Sequence, residues 1–244
     1  MPKRVAVDCR LDAPPGSRKT VVVAIDVLRA TTTAVTAVAA GRRCFPADSA
    51  ETARDLAGRF PGALLVGEQA GAMPDGFDLN NSPAAVAARG DVERPMVLLS
   101  TSGARLIRAA GRTNPVQVGS LRNLTAQAAQ LLPHDDVALV GAPTDGEFRE
   151  EDQICCARLA ELLMDAGFEP DAAAREIADR WRAAPPEALL EGRSADYLRR
   201  TGQEDDLRFV LEHVDDLDAT FALQGEEVVA APRTVAPHGG PQQA

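Results

Sequence analysis

The 244-residue chain sets 26 Lys and Arg against 36 Asp and Glu, a net charge of −10, and 45% of its residues are hydrophobic, enough to fill the core of one domain. With no basic block and only 4% aromatic residues, it offers neither a phosphate-tracking charge stripe nor stacking platforms, which excludes nucleic-acid binding. An anionic ligand must then be held locally, by clustered cations, helix starts or a metal.

Val5-Ala6-Val7 is too short for the apolar stretch of a signal peptide. Residues 21–25 read as a buried strand that ends at Asp26, with Arg29 and then Thr31-Thr32-Thr33 beyond it. The pattern predicts a helix over 33–40, stopped by Gly41. The apolar run 21–40 contains Asp26 and Arg29, so it does not span a membrane. Residues 48–60 read as a helix with Asp48 and Glu51 in a capping box. A buried strand over 63–66 ends at Gly67-Glu68, and an irregular loop over 69–81 is of a length that often carries function. Ser82-Pro83 opens a helix, serine as N-cap and proline in the first turn.

Further on, a strand over 95–99 runs into Ser100-Thr101-Ser102-Gly103 and a helix over 104–110. A strand over 116–118 leads to Ser120 and a helix over 124–132. A third strand, 137–140, runs into the turn 141–146 and a helix over 150–166. Residues 171–211 read as helical with a break at Pro185-Pro186, and 220–230 as a hairpin around Gln224-Gly225. Residues 232–244 read as a disordered tail, leaving 1–231 as one α/β domain.

Three segments therefore share one design: strand, polar turn, helix, glycine stop. Open α/β sheets place their sites at such turns, outside the carboxyl ends of the strands. The four cysteines, Cys9, Cys44, Cys155 and Cys156, form no C-x-x-C pair and fit a reducing cytoplasm. The only histidines are His134, His213 and His238, which poorly supplies a zinc site or a Ser-His-Asp triad. If a metal acts here, oxygen ligands and Mg²⁺ are expected.

The ordered motifs Ile25-Asp26-Val27-Leu28-Arg29-Ala30-Thr31-Thr32-Thr33, Gly67-Glu68, Gly76-Phe77-Asp78-Leu79-Asn80-Asn81-Ser82-Pro83, Ser100-Thr101-Ser102-Gly103-Ala104-Arg105, Gly119-Ser120-Leu121-Arg122-Asn123 and Gly146-Glu147-Phe148-Arg149-Glu150-Glu151-Asp152-Gln153-Ile154-Cys155 resemble the 2-phosphosulfolactate phosphatase family, the ComB-like proteins of coenzyme M biosynthesis. The resemblance covers roughly residues 20 to 230, and six motifs in order are a specific signal. It implies a three-layer α/β/α sandwich with two similar strand-turn-helix halves. It also implies a cytoplasmic Mg²⁺-dependent hydrolase that takes phosphate from 2-phospho-3-sulfolactate. The implied partner is a small anionic substrate, with no nucleic acid and no membrane, and a homodimer is compatible with the pattern. This chain departs from the family at three places: Gln69 where Gly-Glu-Arg is usual, Ser102 and Ala104 within Thr-Thr-Asn-Gly-Thr-Arg, and Gly141-Ala142-Pro143 where Cys-Ala-Gly is common.

Asp26, Glu68, Glu151 and Asp152 are the expected metal ligands, with Asp26, Arg29, Glu68 and Asp152 as the catalytic set. The alternative role for Asp26 is an N-cap, and for the acids of a first helical turn, a favourable pairing with the helix dipole. Glu151 and Asp152 point roughly 100° apart on a helix, so one can face a metal while the other faces elsewhere. Arg29 and Arg105 are expected to clamp anions in a fork; their alternative is an ordinary surface pair. Thr31, Thr32, Asn81, Ser82, Thr101, Ser102 and Gly103 would offer hydroxyl, amide or N–H groups to substrate oxygens, or else serve as caps. Cys155 and Cys156 read as buried small hydrophobes, since no C-x5-R phosphate cradle follows them. Two routes remain open at this stage, attack by a metal-activated water and an aspartyl phosphate on Asp26. So do two functions: a phosphatase, or a diverged non-catalytic member that binds a small anion or a protein.

Overall fold

In the computed structural model, the described residues are 2–10, 19–144 and 146–231; the expected tail lies outside them. Strands β1 (Arg4–Asp8), β2 (Val21–Ile25), β3 (Cys44–Ala47), β4 (Leu64–Gly67), β5 (Met96–Leu99), β6 (Val116–Gly119), β7 (Asp136–Gly141), β8 (Glu169–Pro170), β9 (Thr220–Gln224) and β10 (Glu227–Ala231) form one sheet. Helices α1 (Ala30–Ala39), α2 (Ala50–Gly58), α3 (Pro83–Ala87), α4 (Gly103–Gly111), α5 (Leu124–Leu131), α6 (Glu150–Asp165), α7 (Ala172–Trp181), α8 (Arg193–Arg200) and α9 (Glu204–Glu212) cover it. Among the described residues, no helix is long and apolar enough to cross a membrane.

The strand order is β4-β5-β3-β10-β9-β6-β2-β7-β1-β8. Within β4-β5-β3 and within β6-β2-β7-β1-β8 the neighbours are parallel. The hairpin β9-β10 sits between these blocks, and each of its three pairings is antiparallel. Three reversals in succession make the two blocks run in opposite senses.

The side chains of β2 divide the core. Val21, Val23 and Ile25 pack with α5, α6 and the C-terminal helices, whereas Val22 and Ala24 pack with α1 and α4. That second face is continuous across the sheet, through Phe221, Val228 and Cys44 to Leu98 and Val66. On the first face a separate cluster joins Phe45, Ala47, Val97 and Leu99 to Ala53 and Leu56 of α2. Strands buried on both faces read as unbroken apolar runs, as β2 does. This is the α/β sandwich that the sequence led us to expect.

Several boundaries move. Helix α1 starts at Ala30, three residues earlier than the periodicity predicts, because the Asp26 carboxylate accepts the Ala30 N–H at 3.1 Å. The N-cap of α2 is Ser49, which accepts the Thr52 N–H; Asp48 instead pairs with Arg108. The helical region expected over 171–211, with its break at Pro185-Pro186, is α7 before the break and, after it, a 3-10 turn over Pro186–Glu191 followed by α8 and α9, with Gly202 at φ 68° between the last two. Strand β3 carries Pro46, which masks it in sequence, and β8 is only two residues long.

Candidate active site

Opposite strand senses should send the carboxyl ends of the two blocks apart. Sheet twist brings them back. From β2 to β5 the sheet order counts five steps, and at roughly 20–25° each these accumulate to about 100–125°. The ends of β4 and β5 thereby turn toward the end of β2. The Ser102 hydroxyl, beyond β5, donates to Asp26 Oδ2 at 3.2 Å, and a Cβ on Gly103 would lie 2.3 Å from that oxygen. The third turn, after β7, brings Pro143 and Thr144 to the same place. All three turns line one cavity of about 990 Å³.

Asp26 lies on the cavity wall and is buried. Burial first, and the nearby charge of Glu68 next, push its carboxyl up to about 6, against the lowering effect of the Ala30 N–H. Burial also raises Glu151, to about 7, with Asp26 contributing. Asp152 is raised well above the usual carboxylate range by burial and by the charges of Glu151 and Asp26, and its Oδ1 accepts the Val27 N–H at 2.7 Å. The charge of Asp26 thus reaches both Glu151 and Asp152, although of these three acids only Asp26 lines the cavity. Perturbed groups of this kind gather at functional sites.

Glu68 also lines the cavity. Its carboxylate takes the Thr101 N–H at 2.7 Å, the Thr101 hydroxyl at 3.1 Å and the Gly71 N–H at 2.7 Å, so it ties the turn after β4 to the turn after β5. Arg29 also lines the cavity and is buried. Its Nη1 donates to Asp206 Oδ2 at 2.6 Å and to Gln203 Oε1 at 2.5 Å. Its Nε and Nη2 have no partner among the described residues, which leaves one edge of the guanidinium for a ligand. Asn81 is buried on the same cavity, and its Oδ1 has no hydrogen-bond partner among the described residues.

Other expected ligands stand elsewhere. The Thr31 and Thr32 hydroxyls donate to the carbonyls of Asp26 and Val27, closing the start of α1, and neither residue lines the cavity. Ser82 caps α3 and donates its hydroxyl to Asp206 at 2.6 Å. The Gly103 N–H goes to the Ser100 hydroxyl at 3.2 Å. Exposed Arg105 lines a separate cleft of about 260 Å³ beside Asp48, Ser49 and Gln69, so the structure does not bring it to Arg29. The Gly119–Asn123 motif is structural: Ser120 and Asn123 form a capping box, and Arg122 pairs with Asp216 in a two-pronged contact.

Sequence reasoning missed the basic rim. Arg149, at the start of α6, and Arg193, Arg199 and Arg200 of α8 line the cavity, together with Ser194 and Tyr197. Glu147 pairs with both Arg149 and Arg193, and Asp196 pairs with Arg199. The Tyr197 hydroxyl donates to the Gly71 carbonyl at 2.7 Å, which docks α8 over the Glu68 turn. The signal was present: Arg193, Tyr197 and Arg200 stand at i, i+4 and i+7, one helix face.

The donor set suits Mg²⁺. It is all hard oxygen, burial penalises its charged form, and Glu151 Oε2 is buried without a partner among the described residues. Among the described residues, no three of His, Cys, Asp and Glu converge on one ion position. Mg²⁺ asks for fewer, one or two carboxylates with waters and substrate oxygens completing its shell.

The profile of the family described as 2-phosphosulpholactate phosphatase matches residues 10–224. Three relatives bear the name "Probable 2-phosphosulfolactate phosphatase". That from Carboxydothermus hydrogenoformans is 37% identical over 172 residues, 69% of this chain and 71% of its own. That from Thermus thermophilus is 35% identical over 210 residues, 82% and 88% of the two chains. That from Deinococcus radiodurans is 34% identical over 211 residues, 83% and 88%.

Proposed function

Since the chain belongs to the 2-phosphosulfolactate phosphatase family of phosphoric monoester hydrolases, we propose that it hydrolyses 2-phospho-3-sulfolactate, or a closely similar phosphorylated hydroxy acid, with Mg²⁺ as cofactor. The observation that carries this reading is one cavity lined by Asp26 and Glu68 together with Arg29, Arg149, Arg193, Arg199 and Arg200, in a protein of net charge −10. The acidic field of the whole chain repels anions, so binding a triply acidic substrate requires such a local concentration of cations.

Asp26 and Glu151 would hold the ion. Mg²⁺ held there would supply charge neutralisation at phosphoryl oxygens and would lower the pKa of a bound water. The protein's own groups do the rest. The open edge of Arg29 meets the phosphoryl oxygens, and Arg193, Arg199 and Arg200 face the carboxylate and sulfonate. The Ser100 and Ser102 side chains stand beside Asp26 on the same wall. Asn81 Oδ1, without a partner among the described residues, would accept a hydrogen bond from ligand or water.

Phosphate release from a panel of phosphorylated hydroxy acids, with and without divalent ions, tests the proposal. EDTA should abolish release, and Mg²⁺ or Mn²⁺ should restore it more readily than Zn²⁺. Full activity after exhaustive chelation would remove the ion from the mechanism; no release from any member of the panel would remove the hydrolase.

The two arginines separate in the same assay. Arg29→Lys keeps charge but loses the planar fork, so inorganic phosphate should weaken as a competitive inhibitor by about tenfold or more. Arg105→Lys, in its separate cleft, should leave that inhibition unchanged. A loss in Arg105→Lys with none in Arg29→Lys would reverse the assignment.

A further inference from the structure

The contacts behind Arg29 stand apart from the acids and from the α8 arginines that line the cavity, and they converge on two residues of the α9 entry. Gln203 Oε1 accepts from Arg29 Nη1 at 2.5 Å and from Asn80 Nδ2 at 2.7 Å. Asn80 Oδ1 in turn accepts the Asn81 N–H at 2.7 Å. Asp206 accepts from Arg29 at 2.6 Å through Oδ2, and from the Ser82 hydroxyl at 2.6 Å and the Ala84 N–H at 3.2 Å through Oδ1. Both Arg29 and Asp206 are almost wholly buried.

Each of these bonds has a directional consequence. A guanidinium offers five donors in a fixed plane. Holding it by Nη1 alone fixes that plane while Nε and Nη2 stay unpartnered. Asn80, drawn toward Gln203, fixes the backbone of Asn81, whose Oδ1 is the unpartnered acceptor on the same cavity. Arg29 follows β2 in one parallel block; the loop through Asn80 and Ser82 follows β4 in the other. One donor and one acceptor from opposite blocks are therefore held by the same short segment.

We infer that Gln203 and Asp206 are positioning residues that preset Arg29 and Asn81 for an anionic, hydrogen-bonding ligand. This rests on the proposed use of the cavity, and it adds what holds Arg29 and Asn81 in place before a ligand arrives. Preorganised donors lose little freedom on binding.

Asp206→Asn is the obvious variant, but it leaves the Arg29 charge buried without its counter-charge, and loss of fold there would say nothing about aim. The deciding pair is Gln203→Leu and Gln203→Glu in the full chain. Glutamate keeps an acceptor for both Arg29 and Asn80; leucine keeps the bulk and removes it. The readouts are kcat and KM for phosphate release, and calorimetric binding of inorganic phosphate as an independent probe. Gln203→Leu should raise KM and the phosphate Kd by about tenfold while changing kcat far less, and Gln203→Glu should stay near wild type. Unchanged values in Gln203→Leu, or equal losses in both variants, would overturn the inference. A wild-type protein that releases no phosphate yet binds it in a Gln203-dependent way would leave this inference standing and refute the phosphatase. Absence of both binding and release would refute both.

Discussion

Asp26→Asn is expected to lower kcat by at least ~10²-fold and to leave the melting temperature unchanged or raised. The carboxylate makes two hydrogen bonds, from the Ala30 N–H at 3.1 Å and the Ser102 hydroxyl at 3.2 Å. An asparagine oxygen still accepts the first, and a rotated serine hydroxyl can accept from the amide in the second. The cap of α1 survives. What disappears is a buried negative charge whose carboxyl burial and Glu68 already push up to about 6. Removing it relieves desolvation and repulsion, so the fold gains where the chemistry loses. Steady-state kinetics beside thermal melts would decide. A large drop in melting temperature with near-normal kcat would return Asp26 to a purely structural role.

Gly103→Ala is expected to damage both properties. A Cβ there would stand 2.3 Å from Asp26 Oδ2, 2.7 Å from the Ala30 Cβ and 2.8 Å from the Asp26 Cβ. In an open helix the change would stabilise by up to ~1 kcal/mol. Here it drives the start of α4 into the start of α1, and overpacking of this sort costs about 1–3 kcal/mol. The net effect should lower the melting temperature by several degrees, roughly 3–8 °C. Any shift of the Asp26 carboxylate should also cut kcat on the order of 10²-fold. Gly58→Ala, at the end of α2 with nothing within 4 Å, is the matching control and should be neutral or slightly stabilising. Wild-type melting and turnover in Gly103→Ala would show that the two helix starts can separate without consequence.

Much of the architecture was legible because parallel strands and capped helices write themselves into local patterns. The run 21–25, the Ser82-Pro83 helix start and the 220–230 hairpin all stand where the sequence placed them. How the three polar turns meet was not legible: the two blocks run oppositely, yet the turns line one cavity. Threonines at a strand-to-helix turn look like phosphate donors in sequence. In the fold their hydroxyls go to carbonyls one helical turn back, a choice that local pattern cannot distinguish. The α8 rim and the Gln203–Asp206 clip escaped for another reason. Their partners lie more than a hundred residues away, at Glu68–Gly71, Arg29 and Asn80–Ser82, and no local periodicity records such pairings.

The hairpin that separates the two blocks also dates their union. On a ribosome the blocks emerge first, and residues 220–231, which stitch β3 to β6, follow them. Until then β3 and β6 are open edges, rows of unpaired backbone groups able to template a foreign strand. The joining contacts span long stretches of chain, as between Cys44 and Val228, and pairings of that range form slowly. A chain cut short before Thr220 would present two sticky half-sheets and no common cavity, so premature termination late in the message should yield aggregate rather than a weakened enzyme.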